Sequence, residues 1–228
     1  MLFLNFGYYI IEPYAKPEWF KLASKQVITV SDCLCELHPS LRGTFWLNQN
    51  MKPYEKEQRD YQQLLKLPVD VFTELKKTVN QLYDEKLLDV DSRFTEVSDA
   101  ISFQQKYLHN LSTMLISIAL EDVFKNSFIQ DYDELLNADL LKKEDVGGKF
   151  IGYDILGWDF NSYHSYLCNG LNEDISMKYV LEINEHGLIK NDYEQVKIFA
   201  EYLNDNDMGE PVNWLPFAVY KHGLIHRI

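Results

Sequence analysis

The hydrophobic pattern of the chain changes character twice. The opening run FLNFGYYIIEPY is aromatic and β-branched and closes on Pro13, which predicts a strand. PEWFKLASK is a short helical candidate. QVITVSDCLCEL then alternates with period two, with Val27, Thr29, Ser31, Cys33 and Cys35 on one face and Val30 and Leu34 on the other. SLRGTFWLN predicts a turn at Gly43 and another short strand, so the first fifty residues read as a small antiparallel sheet.

Helical periodicity takes over in the middle third. PYEKEQRDYQQLLKL is polar with late leucines, a weak helix, whereas PVDVFTELKKTVNQLYDEKLLD is a strong one. Pro68 suits a first helical position, Asp70 and Glu74 favour the N-terminal end, and Phe72, Leu75, Val79 and Leu82 recur at three and four. SDAISFQQKYLHNLSTMLISIALEDVFKNSF reads as one long helix capped by Ser98. Its stripe is Leu108, Leu111, Leu115 and Ile118, widened by Met114 and Ile116. DYDELLNADLLKKED predicts a shorter helix ended by Gly147 and Gly148.

The last eighty residues alternate element types. GKFIGYDILGWD is a strand, NSYHSYLCNGL a helix capped by Asp159 or Asn161, MKYVLEIN a strand and EHGLI a turn. DYEQVKIFAEYLND is a helix capped near Asp192 with Val196, Phe199 and Leu203 inward. NWLPFAVYKH is a final strand whose Pro216 predicts an edge or a bulge. The fold class is therefore α+β: a mixed, mainly antiparallel sheet from the N- and C-terminal segments, with the helical middle third packed on one side. Residues 1–228 read as a single domain. Gly147-Gly148 offers the one candidate subdivision, into a sheet-plus-helices part (1–147) and an α/β part (148–228).

A 46% hydrophobic content and fifteen tyrosines argue for a folded globule with ample contact area. The net charge of −13 opposes direct binding to a phosphate backbone and favours a basic partner. Cys33, Cys35 and Cys168 fit neither a disulfide framework nor a zinc ribbon; buried thiols in a reducing cytoplasm fit better. The apolar opening lacks a basic flank, and no run approaches the ~20 apolar residues of a membrane span, so a cytoplasmic, non-membrane protein is expected.

The chemical constellations are sparse. GWDFNSYHSYLCN gathers Asp159, Ser162, His164 and Cys168, but Ser162 lacks flanking glycines and the His164/Cys168 pair lacks an orienting third group. That stretch reads as a capped strand-to-helix corner. The six histidines are scattered, NDNDMGE fails as a calcium loop, and phosphate-cradling glycine motifs are absent, so no metal and no cofactor is expected. What remains is aromatic residues interleaved with acids: Tyr153, Asp154, Trp158 and Asp159 in one segment, and Asp205, Asp207, Glu210 and Trp214 in another. Such anchors ringed by carboxylates suit a basic protein surface.

The C-terminal third, FIGYDILGWDFNSYHSYLCNGL through EINEHGLIKNDYEQVKIFAEYLND to EPVNWLPFAVYKH, resembles immunity proteins of bacterial polymorphic-toxin and contact-dependent growth-inhibition systems. The resemblance implies a non-enzymatic cytoplasmic protein that binds a cognate toxin domain, often a nuclease, with carboxylates standing in for substrate phosphates. Two alternatives make different demands. An enzyme with an unrecognised acidic site requires a deep pocket holding carboxylates of raised pKa. An adaptor for a partner helix requires an exposed apolar groove around Phe72, Leu75, Val79 and Leu82.

Overall fold

The computed structural model describes residues 2–15, 26–31, 55–89, 92–127, 147–159, 162–167, 181–190 and 192–223. The strands among them are β1 (Phe3–Ile11), β2 (Tyr14–Ala15), β3 (Gln26–Val27), β4 (Arg93–Phe94), β5 (Met114–Glu121), β6 (Lys149–Asp159), β7 (Ser162–Ser165) and β8 (Leu215–His222). The α-helices are α1 (Glu55–Leu65), α2 (Val69–Asp84), α3 (Val97–Tyr107) and α4 (Tyr193–Asp205), with a short 3₁₀ turn at Asp122–Phe124. Six strands form one sheet in the order β4-β1-β5-β8-β6-β7, antiparallel at every junction, while β2 and β3 make a small separate ribbon. The fold is α+β, and the sheet joins strands from both sides of the Gly147-Gly148 pair.

Register fixes which residues share a face. Leu115 pairs with His222 and Ala119 with Ala218 across β5 and β8, and Ala218 pairs with Tyr153, then Pro216 with Ile155, across β8 and β6. On this face α2 and α3 cover Ile10, Phe94 and Leu115, and α4 covers Ile155. The opposite face carries Leu4, Phe6, Ile116, Ile118, Leu156, Trp158, Phe217 and Val219 under Ile28, Val30 and Leu188. Helices thus lie on one side of the sheet and extended segments on the other.

The two strongest helical patterns form as read. Phe72, Leu75, Val79 and Leu82 line the buried stripe of α2, with Pro68 in the capping position one residue before it. Asp192 caps α4 by accepting from the Gln195 amide at 3.1 Å, and Val196, Phe199 and Leu203 turn inward. Three other expectations are corrected. The long helix expected to be capped by Ser98 runs only from Val97, with Glu96 at the cap, to Tyr107. The chain resumes as β5, because His109, Asn110, Ser112 and Thr113 favour a turn and β5 is buried on both faces. A strand covered on both sides shows a continuous apolar run, which hides its period of two. The stretch after Asp159 is the return strand β7: Asp159 pairs with Ser162 and Trp158 with Tyr163, with Tyr163 and Ser165 buried and His164 between them less so. Pro216 sits in a central strand. The β5 ladder ends at Phe217, however, so at Pro216 only β6 remains as a neighbour and the missing N–H falls at a local edge. The segments PEWFKLASK, SLRGTFWLN and DYDELLNADLLKKED, and Cys33, Cys35 and Cys168, lie outside the described residues. Of MKYVLEIN the described part makes one isolated bridge, Ile183 to Ile189.

One backbone feature ties the sheet's edge together. β1 carries a bulge at Gly7, where φ is +123°. The buried Arg93 fills the space beside it: a Cβ on Gly7 would lie 2.5 Å from Arg93 Cγ. Arg93 donates from Nη1 to the Phe6 carbonyl at 3.2 Å and from Nε to Asp89 at 2.5 Å, so its charge is paired inside. Gly7→Ala combines an unfavourable φ with this clash and is expected to cost about 2 kcal/mol or more. Urea unfolding should show the midpoint lowered at constant slope, and an unchanged midpoint would contradict the assignment.

Candidate functional site: a buried carboxylate and an acidic rim

Asp154, in the middle of β6, is 1% exposed, and among the described residues no cation acts on it. Its two oxygens are held symmetrically. Thr29 Oγ1 donates to Oδ2 at 2.6 Å and Ser165 Oγ donates to Oδ1 at 2.7 Å. Each hydroxyl in turn accepts the amide two residues on, Ser31 N at 3.0 Å and Leu167 N at 3.2 Å, so both are short side-chain-to-backbone turns. Ser31 completes the brace, donating to the Tyr163 carbonyl and accepting from the Ser165 amide, both at 3.0 Å. Burial pushes the Asp154 carboxyl up to about 7, against the opposing pull of the Thr29 and Ser165 hydroxyls and the Ile155 amide.

The eight residues singled out in the sequence separate into interior and surface. Asp154, Trp158 (6% exposed) and Trp214 (2% exposed) are interior, which corrects their reading as exposed contact positions. In β6 the even-numbered side chains Asp154, Leu156 and Trp158 share one covered face, so alternation of acids and aromatics there does not alternate between core and water. Trp158 packs edge-on to Tyr163. Tyr153 is half-buried in an aromatic row with Phe150 and Tyr193. Asp159 ends β6. Asp205, Asp207 and Glu210 are exposed.

These last three belong to a larger acidic rim. Glu194, Ile198, Glu201 and Asp205 recur at four, three and four along α4, all exposed, with Ile198 55% exposed at the centre of the stripe. Beyond the helix, Asp207 (φ +48°) and Gly209 (φ +78°) turn the chain and carry Asp207 and Glu210 outward. This turn is built rigidly. The Asn204 side chain accepts from the Trp214 amide at 2.7 Å and donates to its carbonyl at 2.9 Å, and the Trp214 indole donates to the Met208 carbonyl at 2.9 Å. Trp214 is thus the internal post behind the acids. Glu194, Ile198 and Glu201 were missed in the sequence, although their helical spacing, complementary to the inward Val196, Phe199 and Leu203, was present.

Two other polar groups complete the picture. Ser117 Oγ lies 2.8 Å from His222 Nε2 on the helix-covered face, where burial lowers the imidazole pKa and Tyr8 meets the ring edge-on. Among the described residues no three His, Cys, Asp or Glu side chains are grouped to hold a metal ion, and no helix is long and apolar enough to cross a membrane.

No family model matches the sequence, and no solved structure matches it. The chain is similar to the type VII secretion system accessory factor EsaA of Staphylococcus aureus, in strains USA300, NCTC 8325 and MRSA252. Identity is 25% over 169 residues, 73% of this chain and 15% of each relative. It therefore spans about 15% of the length of these curated relatives.

The brace and the rim should respond oppositely to substitution. Ser165→Ala leaves one oxygen of a buried carboxyl and the Leu167 amide without their partner, an expected cost of about 1–3 kcal/mol. Asp205→Ala, on the surface, should change stability by less than about 0.5 kcal/mol. Urea unfolding of the two variants checks both, and equal losses would contradict the division.

Proposed function

We propose that this protein is a non-catalytic immunity protein that captures a basic, nuclease-type toxin domain in the cytoplasm, and that the toxin belongs to a type VII secretion system. The observation that carries the reading is the acidic rim: Glu194, Glu201, Asp205, Asp207 and Glu210 around Ile198, on a helix and a turn stiffened from behind by Asn204 and Trp214. Fixed carboxylates on a rigid element resemble a row of phosphates to a cleft built for nucleic acid, and they do not have to be ordered on binding. The −13 net charge adds long-range attraction that speeds the encounter. The likeness to EsaA supports only the secretion context, since it covers a small part of that protein.

The alternative readings find less support. Phe72, Leu75, Val79 and Leu82 are buried against the sheet, so the groove required for a partner helix is already occupied. Asp154 has the raised pKa that an acidic active site would need, but its oxygens are engaged by Thr29 and Ser165 from within.

The test is co-expression with basic C-terminal domains of proteins encoded beside this gene, followed by binding measurements on any toxic one. Growth arrest relieved by this protein is the expected result. The triple reversal Asp205→Lys, Asp207→Lys and Glu210→Lys should then slow association at least about tenfold and flatten its salt dependence. Protection that survives the reversal would move the contact to another face. A toxic partner with no rescue would reject the immunity reading.

A further inference from the structure

We infer that the chain holds two copies of one structural module, related by a pseudo-twofold axis between β5 and β8, and that the outer face of α4, in the second copy alone, is the docking surface for a basic protein. Each copy runs strand, tight turn, helix, strand. The first is β1, the turn closed by the Leu88–Phe94 bridge, α3 and β5; the second is β6, the turn closed by the Ile183–Ile189 bridge, α4 and β8. The first copy adds α1 and α2 between its opening strand and its turn, and the second adds β7 there.

The agreement extends to single residues. Phe6-Gly7-Tyr8 in β1 answers to Ile151-Gly152-Tyr153 in β6. Each glycine sits at a bulge with positive φ, +123° at Gly7 and +143° at Gly152. The two lie in one line across the sheet: Gly7 pairs with Ile118, Ile118 with Val219, and Val219 with Gly152. Over each glycine the matching turn residue fills the space a Cβ would need, Arg93 in one copy and Leu188 in the other. The carbonyl before each glycine accepts from a side chain of the turn, Phe6 from Arg93 and Ile151 from Asn184. Within the turns, Asp89 and Asn184 each donate their amide to the carbonyl four residues on and accept that residue's amide on the side chain. Ser92 and Gly187, both at positive φ, donate to the Asp89 and Asn184 carbonyls. Tyr8 then pairs with Phe94 and Tyr153 with Ile189. The helices begin after Glu96 and Asp192, and the buried Ala100, Phe103, Gln104 and Tyr107 match the buried Val196, Phe199, Ala200 and Leu203 in spacing.

The copies differ on the outer face of the helix. Ser98, Ser102, Gln105 and His109 occupy in the first copy the exposed positions that Glu194, Ile198, Glu201 and Asp205 occupy in the second. The module therefore folds without a carboxylate at any of the four. Like charges spaced along one helix face oppose folding, so the three acids around Ile198 are not a requirement of the fold. They are left for contact. Carboxylates ringing an apolar side chain complement a basic protein face that offers an apolar residue at its centre. The partner's chemistry here rests on the immunity reading; the duplication does not.

If the two glycines are equivalent, Gly152→Ala should lower the urea midpoint as Gly7→Ala does, to within about a factor of two. A Gly152→Ala protein as stable as the unaltered one would overturn the duplication. For the docking face, oligolysine serves as the basic probe, read by amide shifts on the whole protein. The shifts should gather on α4 and spare α3. Glu194→Ser, Ile198→Ser, Glu201→Gln and Asp205→His together, which copy the face of α3 onto α4, should weaken binding about tenfold or more and leave the urea midpoint unchanged. The converse graft, Ser98→Glu, Ser102→Ile, Gln105→Glu and His109→Asp, should bring α3 into the shifted set. Shifts spread evenly over both helices, undiminished binding in the first variant, or a graft that leaves α3 silent would overturn the docking face. Co-expression reads a separate question. Rescue from a toxic domain with α4 silent keeps the immunity reading and rejects this surface, whereas a responding α4 without rescue leaves the surface to another basic protein.

Discussion

The structure depends on β8 pairing on both sides at once. This strand, late in the chain, hydrogen-bonds to β5 through Leu115–Leu120 and to β6 through Lys149–Leu156. Without it the sheet would fall into a β4-β1-β5 part and a β6-β7 part with no ladder between them. Its side chains also supply both layers of the core. Leu215, Phe217 and Val219 pack under the extended segments, and Ala218 leaves room on the helical side. Pairings this distant in sequence close only after much of the chain is ordered, which predisposes such a sheet to slow folding.

The two faces of the sheet are finished by different chemistry, and that division separates stability from function. On the helical side, apolar stripes of α2, α3 and α4 exclude water, and the outer surface of α4 is left to carry charge. The other side is closed by short extended segments, which cannot bury much apolar area each. There a polar brace around Asp154 fixes their position through hydrogen bonds from Thr29, Ser31 and Ser165. Arg93 and Asp89 do comparable work at the far edge, with the charge balanced internally. The rim on α4 is spared these constraints: Asn204 and Trp214 hold its turn from inside, and the carboxylates are exposed, with Glu194 paired to Lys197.

Much of this was legible in the residues, for reasons that differ by element. α2 and α4 each have one buried stripe and a polar back, so period and burial coincide. β5 was not legible, because MLISIALE is covered on both faces and a stretch with six apolar residues of eight fits a helix as well as a strand. β7 was too short for its period to show. Asp154, Trp158 and Trp214 were read as surface residues because acids and tryptophans lay close in sequence. Position on a strand says which side a residue takes, but not whether that side is covered. The Thr29–Asp154–Ser165 brace spans more than a hundred residues, and nothing local marks a carboxylate that will be buried among hydroxyls.

The most direct measurement of the account is made on a chain ended after Glu210. Such a chain keeps α4 and every described strand except β8, and loses Trp214 with its hold on Asn204. If β8 is what joins the sheet, the shortened protein should lose near-ultraviolet circular dichroism and unfold in urea without a cooperative transition. A sharp transition with native-like aromatic signals would contradict the account, because the two parts of the sheet would then be shown to stand without the strand between them.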